Sequence, residues 1–198
     1  MILNTHLIFS KIVYKHCLKE LNFKLNKILF MYGNIKPDIS PNSCRNPHTL
    51  KDSLNVVSEC FDKLSHDELD INQFSMILGI MCHYISDYFC LYHTEEYSNK
   101  NIFGHIAYEI VLHFNLRILL IRGKLKLINN KSLPQRNILS IIFNMQREYF
   151  KQKRSFLRDI TYAVSTINMT VESIIYFNSH DFSNLESYDL PKDIGGIM

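Results

Sequence analysis

The segment MILGIMCHYISDYFCLYH, residues 76–93, is almost entirely apolar and predicts a helix buried in a protein core. Three ionisable residues nevertheless lie within it: His83, Asp87 and His93. An ionisable group is costly to bury unless another group compensates its charge. The segment therefore requires other elements packed around it and partners for its three polar side chains.

Apolar residues recur at helical spacing along nearly all of the chain, which predicts a protein built from α-helices. Loops are expected at residues 33–47, where Pro, Asn and Ser are abundant, and at the polar segment 123–133. The six expected helices are one from Asn4 or Thr5 to about Met31, one that begins after Thr49, one from Asn72 or Ser75 to about Leu91, one over 101–122, one that begins at Pro134, and one over about 155–177.

The chain has 198 residues, 46% of them hydrophobic, which suits one domain with a well-buried core. The sequence contains no internal repeat and no evident domain boundary. Short links between antiparallel helices then predict an all-α fold, a single-domain multi-helix bundle over residues 1–198. The tail from about residue 179, which holds Pro191 and two glycines, is expected to be irregular.

Charge and cysteine content argue against several classes of protein. The net charge is +3, with 22 basic and 19 acidic residues and no block of like charge, so stable nucleic-acid binding is not expected. The five cysteines form no C-x-x-C pair. A disulfide framework and a thiolate zinc finger are therefore both disfavoured.

The first twenty residues, MILNTHLIFSKIVYKHCLKE, lack a basic start, a sustained apolar run and a small-residue cleavage site. They do not predict a signal peptide. No segment is expected to be long and apolar enough to span a membrane. The chain is accordingly expected to be a reduced, cytoplasmic protein, with secretion by another route left open.

Two pairs of residues have the spacing of a chelating site. His83 and Asp87 are four residues apart, as are His105 and Glu109, so each pair shares one helix face. A histidine and a carboxylate in this arrangement can close on one metal ion at roughly 2.0–2.2 Å. Two such pairs on consecutive apolar helices favour a metal site, and the alternative is a buried polar network in the helical core.

His93 comes six residues after Asp87, so it would lie about 9 Å further along the axis if the helix continued. It is then not expected to share an ion with Asp87. It could instead join His105 and Glu109 as the third ligand of a catalytic zinc site with an open coordination position. Asp38 and His48, in the expected loop, are further candidates, with turn formation as the alternative.

The order of these residues resembles that of the zinc-dependent phospholipase C family. A more distant branch of the same superfamily contains secreted single-strand nucleases. The matching motifs extend from Met1 to His113. The family fold is all-α, with a three-metal cluster at the base of a cleft. The motifs that carry the resemblance are PDI with Asp38, PHTLKDS with His48, HYISD with His83 and Asp87, a histidine six residues on at His93, and HIAYE with His105 and Glu109.

The resemblance implies which residues would surround each zinc ion. The first ion would be held by Asp38, His48, His83 and Asp87. The second would be held by His93, His105 and Glu109. Asp87 would bridge to a third ion, which in the family is bound by the amine and carbonyl of an N-terminal Trp and by an early histidine. This chain has no Trp, so Met1 and His6 take those places, and His6 as a surface residue is the alternative.

The resemblance also bears on catalysis and substrate. Asp38 is the candidate general base, with a plain ligand role as the alternative. Two aromatic positions that cradle choline in the family are Ile39 and Arg45 here. Since a quaternary ammonium favours aromatic faces, and Arg45 is instead suited to phosphate, a choline preference is not expected.

The function that the resemblance implies is a zinc-dependent phosphodiester hydrolase, cleaving phospholipids between glycerol and phosphate with a metal-activated water. Two zinc ions are expected, with a third at Met1 and His6. Transient contact with a membrane surface is expected for a phospholipid substrate. The alternatives are a nuclease or small-phosphodiester hydrolase on the same cluster, or a non-catalytic metal-binding interaction module.

Overall fold

A computed structural model describes residues 1–40, 48–97, 101–128 and 134–186. These ranges contain seven α-helices, one 3-10 helix and no strand, which confirms the expected all-α fold. The helices are α1 (Leu3–Lys19), α2 (Lys27–Ile39), α3 (Leu50–His66), α4 (Ile71–Asp87), α5 (Ile102–Ile121), α6 (Ile138–Lys151) and α7 (Phe156–Glu186), with the 3-10 helix at Leu91–His93.

Helix α4 lies at the centre of the fold, in contact with α1, α2, α3 and α7. Its last seven residues, from Met81 to Asp87, are all buried, so the predicted core helix is confirmed. The helix begins earlier than expected, because Asp70 and Gln73 form a reciprocal capping box at its start. It also ends at Asp87, four residues before the expected end at Leu91.

The single helix expected from Asn4 to Met31 is two helices, α1 and α2. The chain turns between them at Asn22, whose φ of 49° lies in the left-handed region that Asn tolerates better than most residues. Asn26 then caps α2 by accepting a hydrogen bond from the Leu29 backbone. The turn escaped prediction because no Gly or Pro marks it.

The loop expected at residues 33–47 is helical up to Ile39, so Asp38 lies in the last turn of α2 and not in a loop. Pro37 removes one helical hydrogen bond without stopping the helix, which ends two residues later. Residues 41–47, which include Arg45, lie outside the described part of the chain.

Helices α2 and α4 cross in backbone contact at two glycines. A Cβ atom on Gly33 would overlap the carbonyl oxygen of Met76, and one on Gly79 would overlap the carbonyl oxygen of Phe30. Both helices run from this crossing in the same direction. Asp38 of α2 therefore lies opposite His83 of α4, with Asp38 Oδ1 3.6 Å from His83 Nε2.

Helices α3 and α5 begin close to where the sequence predicts, whereas α6 begins later and α7 ends later than expected. Thr49 caps α3 as expected, and α5 begins at Ile102 after the cap residue Asn101. Helix α6 begins at Ile138 after an Asn137 cap, not at Pro134. Helix α7 continues to Glu186, so residues 179–186 are helical and not irregular, because no Gly or Pro interrupts the sequence before Pro191.

Helix α5 differs from the expectation about membrane spans. Among the described residues, Ile102–Ile121 is the one helix that is long and apolar enough to cross a membrane, by length and composition alone, and 17% of its most apolar 18 residues are buried. One face of α5 is exposed. The other face is packed against the fold and carries His105 and Glu109 toward α1 and α4.

Candidate metal centre

All nine residues expected to be ligands converge at the C-terminal end of α4. They come from five helices and from the segments between them, and each lies within 4 Å of another member through a nitrogen or oxygen atom. The members are Met1 and His6 from the α1 region, Asp38 from α2, His48 just before α3, His83 and Asp87 from α4, His93 from the 3-10 helix, and His105 and Glu109 from α5.

The buried carboxylate of Asp87 joins the two sides of this cluster. Its Oδ1 lies 2.5 Å from the Met1 amino nitrogen and 3.4 Å from His6 Nε2. Its Oδ2 lies 2.8 Å from His48 Nδ1 and 3.4 Å from His83 Nε2. The two oxygens of one carboxylate therefore face different sets of ligand atoms, which is the geometry of a bridging ligand.

Asp38, His48 and His83 form the first group of ligand atoms. His83 Nε2 lies 3.1 Å from His48 Nδ1, and Asp38 Oδ1 lies 3.6 Å from His83 Nε2 and 3.8 Å from His48 Nδ1. Ligand atoms that surround one zinc tetrahedrally at about 2.0–2.1 Å are roughly 3.4 Å apart. The observed spacing fits one zinc ion.

His93, His105 and Glu109 form the second group. Glu109 Oε1 lies 2.9 Å from His93 Nε2 and 2.8 Å from His105 Nε2, and the two histidine nitrogens are 3.2 Å apart. These spacings also fit one ion. The His105 side chain is 30% exposed, so this side of the cluster opens toward solvent.

The third group is built on Met1 and His6. The Met1 amino nitrogen lies 3.1 Å from both His93 Nε2 and Glu109 Oε1. His6 is fully buried and its Nε2 has no hydrogen-bond partner, while its Nδ1 lies 3.1 Å from the Ser86 hydroxyl. A buried nitrogen without a partner is costly, and a metal ion beside Asp87 would satisfy it. His6 is therefore not the surface residue of the alternative interpretation.

His93 approaches the cluster because α4 stops at Asp87. The chain turns through residues 88–90 and enters the 3-10 helix, which returns His93 Nδ1 to within 3.8 Å of Asp87 Oδ2. The expected separation of about 9 Å does not apply, since it assumed a continuous helix. His48, Asp87 and His93 together offer ligand atoms close enough for one ion.

A buried acid on α7 holds this turn in place. Asp159 accepts hydrogen bonds at Oδ2 from the Leu91 backbone at 3.1 Å and from the Tyr108 hydroxyl at 2.6 Å. Its other oxygen pairs with Arg158 at 2.9 Å. Tyr108 precedes the ligand Glu109, so Asp159 fixes both the 3-10 helix and the adjacent turn of α5.

The protonation states favour cation binding at most ligands. Burial lowers the pKa of His83 and of His93, which keeps both imidazoles neutral. For Asp87, burial raises the pKa, but electrostatic interactions with nearby groups, His93 and the Met1 amine first among them, hold it well below the usual range. Neutral imidazoles and ionised carboxylates are the forms that bind zinc.

Two groups in the cluster titrate in the opposite sense. Burial lowers the pKa of the Met1 amine, but the charges of Asp87 and Glu109 outweigh burial and raise it to about 12. An ion bound at this nitrogen must therefore displace a proton. Burial also raises the pKa of the Asp38 carboxyl.

Three contributions to the site were not anticipated from the sequence. The Cys90 thiol lies close to His93 and Glu109, although burial raises its pKa and keeps it protonated. The carbonyl oxygen of Asn34 lies 2.9 Å from His83 Nδ1 and orients that ring. Asp159 is the third. Only Cys90 had a sequence signal, since it lies within the ligand-bearing segment.

Comparison with known proteins agrees with this geometry. The family model for zinc-dependent phospholipase C matches residues 5–156, more than three quarters of the chain. The chain belongs to the zinc-dependent phospholipase C family. No curated protein and no solved structure matches it significantly. Family membership supports a phosphodiesterase type of function and implies zinc, for which the histidine and carboxylate groups are suitable ligands.

Proposed function

We propose that this protein is a zinc-dependent phosphodiester hydrolase that cleaves phospholipids between glycerol and phosphate. The observation that carries the proposal is the Asp87 carboxylate, whose two oxygens face two separate sets of nitrogen ligands deep in the core. A shared carboxylate of this kind suits adjacent metal ions, and adjacent ions suit phosphodiester cleavage.

The residues would divide into three sets of ligands. Asp38, His48, His83 and Asp87 would hold one zinc; His93, His105 and Glu109 would hold a second; and the Met1 amine, His6 and Asp87 would hold a third. Zinc, when bound, makes water a nucleophile near neutral pH and offsets the charge of phosphoryl oxygens. The protein supplies the fixed positions of these ligands and a core that excludes bulk water around Asp87.

Asp38 is the residue best placed to accept a proton from the attacking water. Its carboxylate is 23% exposed, and its distances of 3.6–3.8 Å to His6, His48 and His83 are too long for hydrogen bonds. One oxygen is therefore free to take a proton and to return it to the glycerol oxygen that leaves. A carboxylate in this position contributes about 10²–10⁴-fold to a rate.

The surroundings of Asp38 support a substrate other than a choline lipid. Ile39, the next residue, is 50% exposed and offers no aromatic face to a quaternary ammonium. On the other side of the cluster the Tyr92 ring stacks on His105, with ring centroids 5.3 Å apart. Neither Ile39 nor the stacked Tyr92 ring therefore supports a choline preference.

To test this, the purified, zinc-loaded protein is assayed for hydrolysis of a panel of phospholipids in mixed micelles. Single-stranded DNA and RNA are assayed in parallel. We expect release of diacylglycerol and a phosphorylated headgroup, abolished in Asp87→Asn. Cleavage of nucleic acid alone would assign the protein to the nuclease alternative. Full zinc content with no hydrolysis of any substrate would favour a non-catalytic metal-binding module.

A further inference from the structure

Helix α5 is apolar on two opposite sides, but only one side is covered. Leu112 and Leu116 are fully buried against the rest of the fold. The opposite side exposes isoleucine and phenylalanine side chains over the whole length of the helix. A helix that is apolar all round is normally covered all round, so one face of α5 lacks its cover within the described part of the chain.

The exposed side chains form one continuous stripe. They recur at intervals of three or four residues, which aligns them along one face over about 27 Å. The two ends of the stripe are almost free of contacts, with Phe103 78% exposed and Ile121 81% exposed. A contiguous apolar surface of this size marks an interaction site. The stripe consists of Phe103, Ile106, Ile110, Phe114, Ile118 and Ile121.

Positive charge accompanies the stripe. Arg117 lies on the exposed face of α5, and Arg122, Lys124 and Lys126 follow at its C-terminal end, all of them exposed. The single acidic residue between positions 102 and 128 is Glu109, which is buried in the metal centre. Apolar side chains beside exposed cations are suited to an anionic lipid surface. A second copy of the chain would bring the same cations and no acidic partner on this helix.

The buried side of α5 indicates whether the helix spans a membrane or lies on its surface. His105 and Glu109 are tied to the metal centre, and His113 is buried at 3.1 Å from the Thr5 hydroxyl of α1. These ionisable side chains would be costly in hydrocarbon. The helix can therefore meet a bilayer only through its stripe, while its inner face stays in the protein.

We propose that the stripe on α5 is a docking surface for an anionic phospholipid bilayer. The inference rests on the proposed function for its purpose, because a phospholipid hydrolase has to bring its centre to the bilayer. His105 and Glu109 lie on the opposite face of the same helix, so docking through the stripe holds the metal centre one helix diameter, roughly 10–12 Å, from the bilayer surface.

Vesicle binding tests the surface without reference to hydrolysis. The wild-type chain is sedimented on ice with vesicles of equimolar phosphatidylglycerol and phosphatidylcholine, and with vesicles of phosphatidylcholine alone. The test variant combines Phe103→Gln and Phe114→Gln. The matched control combines Ile28→Gln and Ile71→Gln, two exposed apolar residues at the ends of α2 and α4 away from the metal centre.

We expect the wild-type and control proteins to bind the anionic vesicles and to bind the neutral vesicles more weakly. The test variant should bind the anionic vesicles about tenfold or more weakly, since two large apolar contacts are lost. Equal binding by the test variant and wild type, or no binding by wild type, would overturn the inference. The inference would also be overturned if the wild-type protein is a dimer and the test variant is a monomer, since the stripe would then bind a second copy of the chain.

An activity measurement separates the failure of this inference from the failure of the proposed function. The test variant should hydrolyse a water-soluble short-chain phospholipid at the wild-type rate and lose activity only on vesicles. Wild-type protein that binds vesicles but cleaves neither substrate would contradict the proposed function and leave the docking surface supported. A variant that loses both activities equally would contradict the docking role.

Discussion

The amino nitrogen of Met1 lies 2.5 Å from Oδ1 of Asp87, a residue 86 positions further along the chain. The Met1 amine is fully buried between Asp87 and Glu109. The first residue of the chain thus lies inside the candidate metal centre and not at the surface, where chain ends usually lie.

We expect a chain extended by one glycine before Met1 to bind less zinc than the unextended chain. The extension moves the amino group and has no space beside the buried Asp87 carboxylate. Elemental analysis after dialysis against zinc measures the change, and a chain extended at its C-terminus is the control. Equal zinc content in both extended proteins would remove Met1 from the proposed ligand set.

Asp87→Asn should lose more zinc and more activity than any substitution of a ligand that faces one group alone. The amide keeps the shape of the carboxylate but removes the charge that offsets the Met1 amine and that would offset the bound zinc ions. We expect a lower melting temperature in zinc as well, because metal binding stabilises the folded chain. Asp62→Asn, an exposed site on α3, is the matched control. Full zinc and full activity in Asp87→Asn would contradict the bridging role.

Asp38→Asn separates a general base from a plain ligand. If Asp38 accepts the proton, the variant should keep nearly all of its zinc and lose about 10²–10⁴-fold in turnover. Zinc content and kcat are measured on the same preparation. Loss of zinc in proportion to activity would make Asp38 a ligand and leave the base unassigned.

Asp159→Asn should lower the free energy of unfolding by about 3 kcal/mol, since it leaves the buried Arg158 without its charge partner. It should also weaken zinc binding, because the Leu91 backbone and Tyr108 lose the oxygen that fixes the His93 turn. Denaturant unfolding and zinc titration measure the two effects. Tyr108→Phe removes one of these hydrogen bonds and should cost about 1 kcal/mol. Unchanged zinc affinity in Asp159→Asn would show that Asp159 stabilises the fold but does not position the zinc ligands.

Phosphatidylcholine should not be strongly preferred over anionic phospholipids. The exposed Ile39 side chain offers a choline group neither an aromatic face nor a negative charge. Initial rates on micelles matched for chain length and detergent give the comparison. A preference of tenfold or more for the choline lipid, about 1.4 kcal/mol, would require an aromatic pocket from another element.

The parts of this structure that follow from local spacing were predictable. His83 and Asp87 share a face of α4, and His105 and Glu109 share a face of α5, because four-residue spacing fixes both pairs within a single helix. Their assembly into one site was inferred from the order of motifs along the chain. The burial of α4, which carries the first pair, was predictable from its apolar sequence.

The parts that depend on distant contacts were not predictable in the same way. His93 reaches the cluster because α4 stops at Asp87, and the turn that follows is held by Asp159, 68 residues beyond Leu91. The turn at Asn22 lacks any glycine or proline signal. The stripe on α5 was also hidden, since apolar residues on both faces of a helix do not indicate which face the fold will cover.

The Gly33–Gly79 crossing has a consequence for how the protein acquires metal. Where Gly33 and Gly79 bring the backbones of α2 and α4 into contact, no side chain lies between the helices to repack, so the gap from Asp38 to His83 is set before any ion arrives. By contrast, the Met1 amine must be brought to Asp87 across 86 residues of chain. We expect the Asp38 side of the centre to form early during folding, and the ion beside Met1 to be the last to bind and the first to leave.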